Sequence, residues 1–372
     1  MKKIYTILVL TISFNMNAQM TDNSSGTSAT GDYSVAMGVN SISSGFASTS
    51  SGQDTEASGT YSFAAGINTL ATSQASFASG ADTVSDAAES VAMGRATLSS
   101  GGQSFAMGYG SIASGGRSFA MGHNTAASGE ASTAMGSDTT ASGDYSTAMG
   151  VGTTASGAGS TAMGGFTTAS GNGSTAIGNG TTASGYSSTA MGFFSKASDR
   201  SSLVIGEYNL LGSTVTNSAT QFSADNTAFV IGNGANANNR ADAFVVMFNG
   251  DATLAGNLSV NSDARLKSNI ISLGSTMSKL LEIDGKSYIM KKDEKKEQKI
   301  GLLAQDIEKV FPELVSESNG IKSVNYQGLV PVLINALKEQ DVKMKEQQMK
   351  IESLRDQEKR IDRLEKLIAQ LD

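Results

Sequence analysis

Small and apolar side chains alternate along the chain in short blocks that return every fourteen residues. In Ser146-Thr147-Ala148-Met149-Gly150 the alternation puts Thr147 and Met149 on one face and Ser146, Ala148 and Gly150 on the other, the two-residue period of a strand. Glycine recurs in phase at 38, 52, 66, 80, 94, 108, 122, 136, 150, 164, 178, 192 and 206. A second series lies midway, at 31, 45, 59, 101, 115, 129, 143, 157, 171 and 185, with Ser73 and Ala87 where it lapses. The unit is therefore two half-repeats of seven, each a short strand and a turn. Helical repeats need more than about thirty residues, and a glycine every second turn opposes a helix.

Stacked coils of this length predict a parallel β-solenoid in which like residues form columns. The column Met37, Met93, Met107, Met121, Met135, Met149, Met163, Ile177, Met191, Ile205 predicts one continuous apolar rib, with each coil burying about one such large residue among its alanines. The glycines fall where a tight turn needs positive φ or where backbones approach closely. Gly/Ser-rich sequence is commonly linker, but strict phase and a periodic Met/Ile position argue for a folded array. So thin a coil has little core of its own, which points to oligomerisation.

The blocks Ser-Val-Ala-Met-Gly (34–38), Ser-Thr-Ala-Met-Gly and Ser-Thr-Ala-Ile-Gly (174–178), with Ala-Ser-Gly between them, resemble the head repeats of YadA-like trimeric autotransporter adhesins over about residues 25–208. The resemblance implies a left-handed parallel β-roll, a homotrimer about a threefold axis, and a surface that binds a host, matrix or glycan ligand. Adhesins of that family end in a membrane β-barrel anchor, whereas residues 262–372 of this chain are charged and of a different kind.

Composition narrows the picture. Lys2 and Lys3, the apolar run Ile4 to Phe14 and the following Asn15 to Gln19 read as a secretory signal peptide, residues 1–18, cleaved after Ala18, which makes the protein secreted or surface-exposed. No later run of eighteen apolar residues predicts a transmembrane helix. With no cysteine there are no disulfides or thiolate metal sites, and the single histidine, His123, falls in a turn of the repeat as a solvated side chain. Residues 1–261 hold 7 Lys/Arg against 15 Asp/Glu, a net of −8, which disfavours nucleic acid as a partner.

The glycine phase stops after Gly206, and residues 209–261 read as a β-rich connector: Ala228-Phe229-Val230-Ile231-Gly232, Ala243 to Phe248, then an Asn249-Gly250 turn. Charge density rises at Asn261. The segment Ser262-Asp263-Ala264-Arg265-Leu266-Lys267-Ser268-Asn269-Ile270 follows. A serine attacks a carbonyl only once its proton is removed, and a lysine amine held neutral by desolvation can remove it. Ser262 and Lys267 are five apart and meet if the chain turns; on its own, such a pattern is usually a helix cap beside a solvated charge.

Together with Ile300-Gly301-Leu302-Leu303-Ala304-Gln305-Asp306-Ile307 to Val315, and Val324-Asn325-Tyr326-Gln327-Gly328-Leu329 to Leu333, this segment resembles the endosialidase-type intramolecular chaperone domain of phage tailspikes and fibres. The resemblance makes Ser262 the nucleophile and Lys267 its partner, with a cut between Asn261 and Ser262. Asp263 and Arg265 match its supporting positions, and no cofactor or metal is called for. It implies a small α+β domain over 262–336 that drives trimer assembly. From Leu337 the positions Gln340, Met344, Gln347, Ile351, Leu354, Gln357, Ile361, Leu364, Ile368 and Leu371 advance mostly by threes and fours, a coiled coil over 337–372. Pro331 falls near its start, where proline is tolerated.

The pattern predicts a mainly β fibre, and the resemblances imply that it is trimeric and adhesive and that its only enzymatic act is one cut by a Ser-Lys self-cleaving peptidase. A phage-type tail fibre and a spacer that binds nothing, with an uncleaved trimerisation domain, are the alternatives.

Overall fold

The computed structural model describes residues 20–21, 25–211, 219–291 and 296–370, so the expected signal peptide, 1–18, lies outside the described residues. The chain divides into two compact units between Leu258 and Ser259.

The first unit is mainly a parallel β-solenoid. Each fourteen-residue coil contributes one five-residue strand, such as Thr147–Val151, and one two-residue strand, such as Thr154–Ala155. The long strands stack in one parallel sheet and the short ones in another, each coil pairing with the next at an offset of fourteen: Met135 with Met149, Gly136 with Gly150, Thr140 with Thr154. Between strands the amides bond the following coil, as Ser142 N and Gly143 N both donate to Ala155 O at 2.9 and 3.2 Å.

The columns differ from the sequence expectation in one respect. The interior is lined by Ala148 and its equivalents on the long strands, by Ala155 and its equivalents on the short ones, and by the columns of Ser146 and Thr153, all essentially inaccessible. The methionine rib lies on the opposite face: Met37, Met121 and Met191 are each more than a third exposed in the single chain. A turn every seven residues brings the two sheets so close that the interior takes Ala, Ser or Thr, with valine only at Val204 and Val230 in the last two coils, and the Met and Phe side chains point outward. Stacked rings on that same outer face, Phe63 with Phe77 and Phe105 with Phe119, each have centroids 5.0 Å apart.

The glycines hold the coils together at close range. Gly150 has φ +120°, and a Cβ there would sit 2.0 Å from Gly164 O in the next coil. The midway Gly143 has ordinary φ, yet its Cβ would lie 2.2 Å from Gly157 O. Where Ser73 replaces a midway glycine, its amide turns to the Ser76 hydroxyl at 3.3 Å, a local adjustment to the added side chain.

The solenoid runs one coil further than its glycine phase. Strand Thr227–Asn233 pairs in parallel with Leu203–Glu207, matching Gly232 to Gly206 although 26 positions separate them. The extra residues form an excursion packed against earlier coils: Tyr186 N donates to Ala219 O at 2.7 Å, and Arg200 to Thr220 O at 2.8 Å. Asp199, in the midway glycine column, accepts Thr227 N at 2.9 Å, and burial raises its pKa. The antiparallel strands Asp242–Met247 and Ala252–Leu254, joined through the Asn249-Gly250 turn, then cover that coil's edge.

In the second unit, hairpins Lys286–Ile289/Gln298–Gly301 and Val315–Ser318/Ile321–Val324 flank the helix Ala304–Val310. A 40-residue helix, Leu329–Ile368, carries Pro331 in its first turn and the coil positions from Leu337 to Ile368, while the last expected one, Leu371, lies outside the described residues. Its start packs Val332 on Ile307, Val310 and Phe311, while Leu337, Met344, Leu354, Ile361, Leu364 and Ile368 are exposed along its length. The chaperone and coil segments read separately from sequence are thus joined by one continuous helix. Among the described residues no helix is long and apolar enough to cross a membrane.

If coil spacing is the constraint, Gly150→Ala should destabilise the solenoid by about 3 kcal/mol, from positive-φ strain and collision with the next coil. Gly116→Ala, with open space around the new methyl, should stay within about 0.5 kcal/mol of wild type. Guanidinium unfolding followed by circular dichroism measures both, and equal effects would contradict the assignment.

Candidate active site

A short 3-10 turn, Ala264–Leu266, shapes the segment singled out from sequence. Asp263 caps it, its carboxylate accepting Arg265 N at 2.9 Å, while Leu266 N and Lys267 N bond back to Asp263 O and Ala264 O, both at 3.1 Å. The turn brings the Lys267 side chain back along the segment, and its Nζ donates to Ser262 Oγ at 2.7 Å. The two residues expected to meet do so.

Arg265 closes over the same cap. Its Nε donates to both oxygens of Asp263 at 3.1 Å and a terminal nitrogen donates to one at 2.6 Å. The guanidinium hydrogen bond, followed by the backbone amide, holds the Asp263 carboxyl below the usual carboxylate range, and the Arg265 pKa is raised in return. Asp263 and Arg265 thus stabilise the turn that presents Lys267, while the hydrogen bond to Ser262 comes from Lys267.

The remaining motif residues assemble elsewhere in the unit. Tyr326 Oη accepts Leu302 N at 2.9 Å, joining the Ile300–Val315 and Val324–Leu333 segments. A cavity of about 370 Å³ lies there, lined by Tyr288, Met290, Leu302, Gln305 and Tyr326 among others. Within one chain the Ser262–Lys267 pair is not brought to it: residues 262–275 are exposed throughout. The first fixed point beyond the pair is Ser275-Thr276, held by Glu339 of the long helix. Sequence reasoning did not single out Glu339, because a carboxylate on a polar helix reads as a solvated charge. Among the described residues no group of three or more acidic or histidine side chains could hold a metal.

Two family models match the chain. The YadA head domain repeat matches residues 25–41, 29–49, 43–69, 99–125, 127–153, 155–181 and 183–207. The model described as chaperone of endosialidase matches residues 262–316. A parallel β-solenoid that is similar to YadA head repeats is thus followed by a unit whose first part is similar to the chaperone of endosialidase. No curated protein matches the chain.

Because the Asp263 pKa is lowered in the folded turn, its contribution is complete above the ordinary carboxylate value near ~3.9 and is lost as pH falls through the lowered folded value. The Asp263 carboxyl carbon, followed by NMR, should titrate below that ordinary value and move back towards it in Arg265→Ala. The same titration in both proteins would show that the pair does not hold the turn in solution.

Proposed function

We propose that the protein is a secreted, homotrimeric, adhesin-like fibre whose C-terminal module aligns three chains and is then released by a cut between Asn261 and Ser262. The observation that carries this reading is the 2.7 Å contact between Lys267 and Ser262, inside a matched chaperone domain that follows matched head repeats. Two surfaces of the single chain support three-chain assembly: the outward methionine and phenylalanine columns of the solenoid, and the uncovered apolar positions of the long helix.

The chemistry needs only this chain and water. Lys267, as a neutral amine, takes the Ser262 hydroxyl proton while Oγ attacks the Asn261 carbonyl carbon. The Asn261–Ser262 amide bond breaks as its nitrogen takes a proton back from Lys267, leaving an ester between Asn261 and Ser262 Oγ. Water then hydrolyses the ester, freeing an Asn261 carboxylate and the Ser262 hydroxyl. In the single chain both side chains are exposed and Nζ donates to Oγ. Burial of the exposed Val260, Leu266, Ile270 and Ile271 against neighbouring chains would desolvate the lysine and favour the neutral base.

Release has a physical consequence. Near-identical coils allow three chains to associate one repeat out of register with most contacts kept, so alignment has to come from outside the repeat. Once the aligning module has gone, the head is held by a kinetic barrier. Binding by the head follows from the YadA likeness, and the basic and apolar start of the chain supports export over packaging as a tail fibre. Saturable binding of the released head to cells or matrix would separate an adhesin from a spacer.

Mass analysis of the purified protein beside Ser262→Ala and Lys267→Ala tests the cut. A wild-type fragment beginning at Ser262, absent from both variants, is the expected result; an intact wild-type chain would contradict self-cleavage.

A further inference from the structure

One carboxylate of the long helix gathers an unusual set of donors. Glu339 accepts the Ser275 hydroxyl at 2.6 Å, the Thr276 amide, and the Met277 amide at 3.2 Å. The Thr276 hydroxyl, almost fully buried, also donates to Val332 O on the same helix at 3.0 Å. These bonds, the Ser275 hydroxyl first, hold the Glu339 carboxyl below its ordinary range. The amides are those that open the short helix Met277–Leu280, so the carboxylate satisfies donors that its own turn leaves free.

The placement of this clasp matters more than its strength. Between Lys267 and Ser275 the chain has neither helix nor strand and is exposed. Eight residues fully extended span at most about 28 Å, so the clasp confines the Ser262–Lys267 pair to that distance from one level of the long helix. Glu339 lies two residues beyond Leu337, where the coil positions begin. Whatever aligns the helices of several chains therefore sets one common level for the arm of each chain.

We propose that Glu339 is a positioning residue for self-cleavage: it pins the arm that carries Ser262 and Lys267 to the coil helix, so that helix association delivers every chain's pair to the same height. This rests on the self-cleavage reading above. The clasp acts through Ser275 and Thr276 and does not touch the reacting atoms. Losing it leaves the Ile307, Val310, Phe311 and Val332 core and the Thr276–Val332 bond in place but frees Ser275 and the Thr276 and Met277 amides, which loosens the base of the arm and lowers the fraction of time the pair spends in reacting geometry.

The test uses the full-length chain with Glu339→Ala and Glu339→Gln. Appearance of the fragment beginning at Ser262, timed by mass spectrometry, should slow about tenfold or more in Glu339→Ala. Glu339→Gln, whose amide oxygen still accepts, should stay within roughly threefold of wild type. Sedimentation and helicity should be unchanged in both, whereas a merely structural role would disturb them together with cleavage. Wild-type cleavage rate in a well-assembled Glu339→Ala would overturn the role of Glu339 and leave the Ser-Lys reading standing. An uncleaved wild type would instead overturn the reading beneath it. Should Glu339→Ala fail to fold, Ser275→Ala removes one donor alone; slower cleavage there supports the clasp, and an unchanged rate overturns it.

Discussion

Everything in the first unit depends on how closely successive backbones approach. At Gly150 and its equivalents the chain passes so near the carbonyl of the next coil that only a hydrogen fits, and a positive φ carries it round the corner. That spacing goes with a fourteen-residue coil and keeps the interior to Ala, Ser and Thr, with Val204 and Val230 taking the alanine position only in the last two coils. The solenoid of a single chain consequently has a methionine and phenylalanine flank and a core of small side chains only. Its stability is a sum over neighbouring coils, and its apolar flank calls for other chains.

The same constraint creates the problem that the second unit is suited to solve. When every coil presents the same column residues, lateral contacts carry little information about which coil of one chain faces which coil of another. Alignment then has to be supplied by a segment with a unique sequence. The long helix offers one, with a coil seam broken by Gln340, Gln347 and Gln357, and its start is fixed to the globular core through Val332. In the account proposed here the Ser262–Lys267 pair lies between the aligning module and the aligned shaft, where a cut separates the two.

Much of this was legible from residue spacing. The fourteen-residue period, the two glycine series and the meeting of Ser262 with Lys267 are local, and a short turn or a strand register expresses them directly. The methionine column was found but assigned to the wrong face, because alternation separates the faces without saying which one is enclosed; that depends on the distance between the two sheets. The coil at Thr227–Asn233 was missed as a coil because an excursion broke the phase, although Ala228-Phe229-Val230-Ile231-Gly232 repeats the block pattern. Glu339 was not legible at all, since its donors lie more than sixty residues away in sequence.

The central claim is that the shaft cannot align itself and that its C-terminal module does so. Refolding from guanidinium, read as recovered trimer by sedimentation, tests it most directly. Ser262→Ala, which keeps the module attached, should recover trimer, whereas wild-type head from which the module has been released should not. Equal recovery by the two would contradict the account, because the repeats would then carry their own alignment.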